Sequence, residues 1–151
     1  MEKRLTLNGT EMAFKSSAAT NILYKKAFGE DILVKLTSYT KNLRDLKDMQ
    51  KKLASFTEET TTEEKVAVLN EINNSEAFIF TNKFSSETLP KLAYIMYIEA
   101  NEKIENIFKK LNEESYLIWL MQINQDELLS ITKEVMELWQ AGSKTHSQPK
   151  N

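Results

Sequence analysis

Apolar positions first alternate along the chain and then change to helical spacing. In Leu5-Thr-Leu-Asn-Gly-Thr-Glu-Met-Ala-Phe14 they alternate with polar ones around Asn8-Gly9, a dipeptide suited to a type I′ turn because both central residues need positive φ. Centring the turn there pairs Leu7 with Thr10, Leu5 with Met12 and Lys3 with Phe14. Leu5, Leu7, Met12 and Phe14 then share one face. This predicts a β-hairpin over about residues 3–15. A two-stranded hairpin is marginal in water, so its apolar face packs on the domain's own helices. The sharper alternative is an edge that adds a strand to a partner.

The remainder reads as helices. Ser16 or Ser17 can cap a helix that runs to Phe28, and Gly29 is a suitable stop. Glu30-Asp31 suit the N-terminal dipole of a second helix reaching about Phe56. Its seam is Ile32, Leu36, Tyr39, Leu43, Leu46 and Leu53, interrupted at Gln50. That spacing is close to a coiled coil, and it serves either packing within a helical hairpin or self-association. The polar segment 56–64 is a loop, and Thr61 with Glu64 forms a capping box for a short helix through Val66, Val68, Leu69 and Ile72. Ala77-Phe-Ile-Phe80 is too short for periodicity to decide, so 77–84 is left open between strand and helix. A long helix is expected from about Glu87 to Leu111, with Pro90 in its first turn and Leu92, Met96, Ala100, Ile104, Ile107 and Leu111 in one stripe. Helices over 114–121 and 125–140 complete the pattern, the second carrying Leu128, Ile131, Val135 and Leu138 on one face and ending at Gly142. The expectation is a mainly α fold: a single helical domain over 1–142 with an N-terminal β-hairpin, then a disordered polar tail over 143–151.

Composition supports this. The chain has 151 residues with only Gly 3 and Pro 2, too few breakers for a sandwich of short strands. Cys 0 removes disulfides and thiol metal sites and suits the cytoplasm. No secretory apolar segment opens the chain, and the longest apolar run, Leu92–Ile98, is far below the roughly 18 residues that a bilayer requires. A cytoplasmic protein that does not enter membranes is therefore expected. Charge is polarised: residues 1–56 hold 11 basic and 6 acidic residues, a net +5, whereas 57–151 hold 9 and 16, a net −7. Such ends attract each other within one chain, or between chains in a head-to-tail homo-oligomer.

Candidate chemistry is sparse. The single His146 lies in the polar tail, and a metal site needs several converging ligands. The acid doublets Glu30-Asp31, Glu58-Glu59, Glu63-Glu64, Glu113-Glu114 and Asp126-Glu127 mostly sit at expected helix starts, where the dipole favours them. No glycine-rich loop is present to cradle a phosphate. No catalytic residue, cofactor site or metal site is assigned, and a non-enzymatic binding protein is expected. Lys25-Lys26 and Lys51-Lys52 leave a nucleic-acid regulator acting through residues 15–52 as the alternative, although a sequence pI near 5.6 argues against nucleic acid as a partner. Tyr94, Tyr97, Trp119 and Trp139 are the candidate protein-interaction residues: large aromatics are frequent hot spots as well as ordinary core residues.

The segments Leu5-x-Leu-Asn-Gly-x-Glu-x-x-Phe14 and Ser17-Ala-Ala-x-x-x-Leu-Tyr-Lys-x-x-Phe-Gly-x-Asp-Ile-Leu33 resemble the opening of tail assembly chaperones of long-tailed bacteriophages and prophages. Leu89-Pro-Lys-Leu-Ala-Tyr-Ile-Met96 resembles that family's central helix, and Glu134-Val-Met-Glu-Leu-Trp139 with its polar tail resembles the C-terminus, while residues 57–85 depart from the pattern. The resemblance implies a non-enzymatic, largely helical, self-associating protein of the host cytoplasm, absent from the finished virion. Its implied partners are the tape measure protein, which it keeps soluble, and the tail tube protein, which it helps recruit. Met96, Met121 and Met136 could supply adaptable apolar contacts for such a role.

Overall fold

The computed structural model describes residues 1–7 and 9–147, with side chains to Ala141. It is mainly α with an N-terminal β-hairpin, as expected. Strand β1 (Glu2–Leu7) pairs antiparallel with β2 (Thr10–Lys15) in the register Leu7↔Thr10, Leu5↔Met12 and Lys3↔Phe14. Gly9 has φ 79, the left-handed conformation that a two-residue turn requires; Asn8, the other turn residue, lies outside the described residues. Burial alternates along β1, and Phe14 on β2 is buried.

Helices α1 (Thr20–Phe28), α2 (Ile32–Ala54), α3 (Thr62–Asn73), α4 (Glu76–Lys83), α5 (Leu89–Asn101), α6 (Ile104–Ile107), α7 (Glu113–Leu120) and α8 (Gln125–Ser147) follow. Within the span expected as one domain the chain forms two compact units, Met1–Ile32 with Glu87–Asn151, and Leu33–Ser86.

The first unit is built around α5. Leu92, Ala93, Tyr94, Ile95, Met96 and Ile98 are all buried, so this helix is covered on every side rather than along one stripe. β2, α1, α7 and α8 pack on it. From α8, Ile131, Val135, Leu138 and Trp139 are buried. Burying each such side chain contributes about 1.5–3 kcal/mol. Lys3 of β1 pairs with Glu134 of α8.

Local signals explain most boundaries. Gly29 ends α1 at φ 71, its N–H donating to the Lys25 carbonyl at 2.7 Å. The start of α1 is later than Ser16 or Ser17 suggest, because Ser17 is used otherwise: its N–H donates to Thr20 Oγ1 (2.9 Å), and its hydroxyl accepts from the Ala19 N–H (3.1 Å). Asn124 and Glu127 bond reciprocally at the start of α8. The helix is traced through Ser147, past the stop expected at Gly142. The polar tail expected to be disordered, 143–151, falls outside the described side chains, and its last four residues lie outside the described chain altogether.

The long helix expected over 87–111 is corrected. α5 ends at Asn101, and Glu102 and Lys103 are extended (ψ 148 and 149) before α6 and a short 3-10 turn, Phe108–Lys110. The Asn101 side-chain amide donates to the Tyr97 carbonyl (2.8 Å) and to Ala13 of β2 (2.9 Å). Beyond the turn, the Lys110 carbonyl accepts from the Tyr94 hydroxyl at 2.8 Å. These contacts turn the chain back on α5, so Ile104 and Ile107 do not extend the stripe of Leu92 and Met96.

In the second unit α2 is opposed by α3 and α4. Tyr39 stacks on Phe84 with ring centroids 4.2 Å apart, and Lys52 approaches Glu71 at 3.6 Å. The α2 seam residues Leu36, Tyr39, Leu43, Leu46 and Leu53 are half-buried. The capping box of Thr61 and Glu64 opens α3 as expected. Residues 77–84, open between strand and helix, are helical: Ser75 caps α4 by accepting from the Phe78 N–H at 3.1 Å. Phe84–Thr88 form a π-helical turn between α4 and α5. The wider turn suits Pro90, which has no N–H to give to an α-helical ladder.

Candidate functional site

Aromatic residues of the first unit touch in an unbroken series. Phe14 of β2 meets Tyr97 of α5 (6.1 Å between centroids), and Tyr97 meets Trp119 of α7 (5.6 Å). Trp119 meets Tyr94 (5.6 Å), which meets Tyr116 (5.7 Å). Tyr116 meets Phe28 of α1 edge-on (5.4 Å), and Phe28 meets Tyr24 (5.2 Å). Pairs in these geometries add about 0.5–1.5 kcal/mol each beyond their buried area. The Lys91 ammonium lies over the Phe28 ring, 5.2 Å from its centroid.

Of the four sequence candidates, Tyr94, Tyr97 and Trp119 come together and Trp139 does not. Trp139 is buried in α8, where its indole N–H donates to Asn21 Oδ1 at 3.1 Å. Tyr94, Tyr97 and Trp119 wall a groove of about 270 Å³ together with Ile98, Glu102, Lys110, Ser115, Ile118 and Gln122. Glu102 and Lys110 pair at 2.5 Å at its edge. The Trp119 indole N–H is buried with no hydrogen-bond partner among the described residues. Burial raises the pKa of the Tyr94 hydroxyl and lifts that of Tyr116 to about 12, so both stay protonated near neutrality.

Helix α7 makes this region unusual. Tyr116 to Met121 is a run of six apolar residues, too many for one helical face. Tyr116 and Trp119 turn inward, whereas Leu117 (47% exposed), Ile118 (55%) and Met121 (84%) face solvent. A second shallow groove of about 330 Å³, with Leu23, Ile107 and the exposed Ile104 and Phe108, lies between α1 and the turn after α5. The sequence reading missed Tyr116 and Ile118. Their signal was available in the three-residue spacing of Tyr116 and Trp119, which commits one side of α7 inward and leaves the other uncovered.

Polar clusters elsewhere act as ties. Glu99 accepts from the Ser17 hydroxyl (2.5 Å) and the Thr20 hydroxyl (2.7 Å). Among the described residues no group of three or more His, Asp or Glu side chains is placed to hold a metal ion, and no helix is long and apolar enough to cross a membrane. On the basic side, Lys51 approaches Asp48 (3.6 Å) and Lys52 approaches Glu71, so part of the positive charge of α2 is opposed by acids of its own unit. No family model matches the chain, and no curated protein or solved structure is significantly similar to it.

Proposed function

We propose that the chain is a tail assembly chaperone of the long-tailed phage type: a non-enzymatic, self-associating cytoplasmic protein. In this role it binds and solubilises the tape measure protein and helps recruit tail tube subunits. The observation that carries the reading is the uncovered apolar face of α7 beside the aromatic groove. A protein that keeps a long apolar helical client in solution needs such a surface, backed by a rigid scaffold so that little ordering entropy is lost on binding. The opening hairpin and helix support it through their resemblance to that family. The opposite net charges of the two ends of the chain suit repeated copies along a rod.

Co-expression with a tape measure protein of a long-tailed phage tests the proposal. The expected result is a marked gain of soluble client and its co-purification with this chain. An equally insoluble client with and without the chain sinks the reading.

A further inference from the structure

We infer that the exposed face of α7 docks a cationic amphipathic helix; this rests on the chaperone reading and adds the chemistry of the client segment. Leu117, Ile118 and Met121 give α7 an apolar outer face, and Ile118 continues it into the wall of the groove beside Trp119. Lys110, which lines the groove, is already paired with Glu102, and the charge of the stretch that follows it is acidic. From Leu111 to Thr132 the chain carries Glu113, Glu114, Asp126 and Glu127 and no lysine or arginine. Acids therefore flank both ends of an apolar strip. A purely apolar partner leaves them without counter-charge, and an acidic partner is repelled. A segment with leucine-like residues on one face and Lys or Arg at its margins satisfies both requirements.

The occupant is a helix rather than a strand. The mid-helix backbone of α7 is already hydrogen-bonded internally, so it offers nothing to the free N–H and C=O groups of an extended chain. A helix satisfies its own backbone and presents side chains alone, the helix-in-groove mode. At 1.5 Å per residue the eight residues of α7 span about 12 Å, so two to three turns of a partner cover the face.

Fluorescence anisotropy with two labelled synthetic amphipathic helices, one of leucine and lysine and one of the same pattern in leucine and glutamate, tests this on the full-length protein. The lysine peptide is expected to bind, and to bind more weakly as salt rises; the glutamate peptide is expected not to bind. The double variant Ile118→Ser, Met121→Ser changes only exposed side chains and should keep wild-type circular dichroism while losing at least about tenfold in affinity, the loss of roughly 1.4 kcal/mol of contact. Equal binding of both peptides, or wild-type affinity in the double variant, overturns the proposal. So does a double variant that alters sedimentation but not peptide binding, because the face then belongs to a second copy. Peptide binding with a client that stays insoluble on co-expression keeps the docking surface and removes the chaperone reading. A solubilised client with no peptide binding does the reverse.

Discussion

The Thr20 hydroxyl donates to the Glu99 carboxylate across 2.7 Å, and so fastens the first turn of α1 to the last turn of α5. Burial pushes the Glu99 pKa above the ordinary 4.5, while the hydroxyls of Ser17 and Thr20 pull it part of the way back. The native carboxyl therefore holds its proton more tightly than the unfolded chain does. Its stabilisation is fully present below the unfolded pKa and declines as pH rises through the raised value. Relative to Glu99→Gln, which keeps the shape and both bonding partners, the wild type should lose stability as pH rises from the ordinary carboxyl range through the raised value. Thermal melts of the two proteins at stepped pH check this; parallel melting curves at every pH would contradict it.

At Gly9 a β-carbon would meet nothing within 4 Å among the described residues beyond its chain neighbours, yet φ is +79. Gly9→Ala should cost about 1 kcal/mol through backbone conformation alone. Phe14→Ala removes a side chain that is 1% exposed and should cost about 3–5 kcal/mol. Urea unfolding separates them, and a hairpin that merely decorated the helices would give two small and similar losses.

The two tryptophans should answer differently to the same substitution. Trp139→Phe breaks a hydrogen bond to Asn21 and leaves that amide without its donor, at a cost of about 1–2 kcal/mol beyond the change in packing. Trp119→Phe removes a buried N–H that has no partner among the described residues, which offsets part of the lost area, so its stability should stay within about 1 kcal/mol of wild type. Equilibrium denaturation of both variants provides the comparison; equal losses would refute the assignment of the two indoles.

Thr61→Ala deletes the acceptor for the Glu64 N–H (3.1 Å) and leaves the reciprocal bond from the Thr61 N–H to the Glu64 carboxylate (3.3 Å) without its counterpart. The expected cost is about 1 kcal/mol, with faster amide exchange confined to the first turn of α3. Unchanged exchange there would show that the cap contributes nothing.

Elements governed by short-range chemistry were legible in the sequence. The hairpin register follows from Asn8-Gly9 and strict alternation, the α1 stop from Gly29, and the α3 start from Thr61 and Glu64, because each is decided within a few residues. The end of α5 was not legible. Ile104 and Ile107 keep helical spacing, and no glycine or proline marks the break. It is set instead by Asn101 reaching Ala13, and by Tyr94 reaching Lys110, partners distant in the chain. The same limit applies to the site. Tyr94, Tyr97 and Trp119 stood out by residue type, but only the packing of α7 on α5 separates them from Trp139 and leaves Met121 in solvent.

The seat of Phe14 has a consequence for synthesis. β2 rests on α5, and the contact of Ala13 with Asn101 spans 88 residues. At about 5–20 residues per second, the nascent hairpin waits between about 4 and about 18 seconds for the helix that covers it. During that interval its greasy side is bare at the ribosome. The hairpin is thus made well before the helix that shelters it.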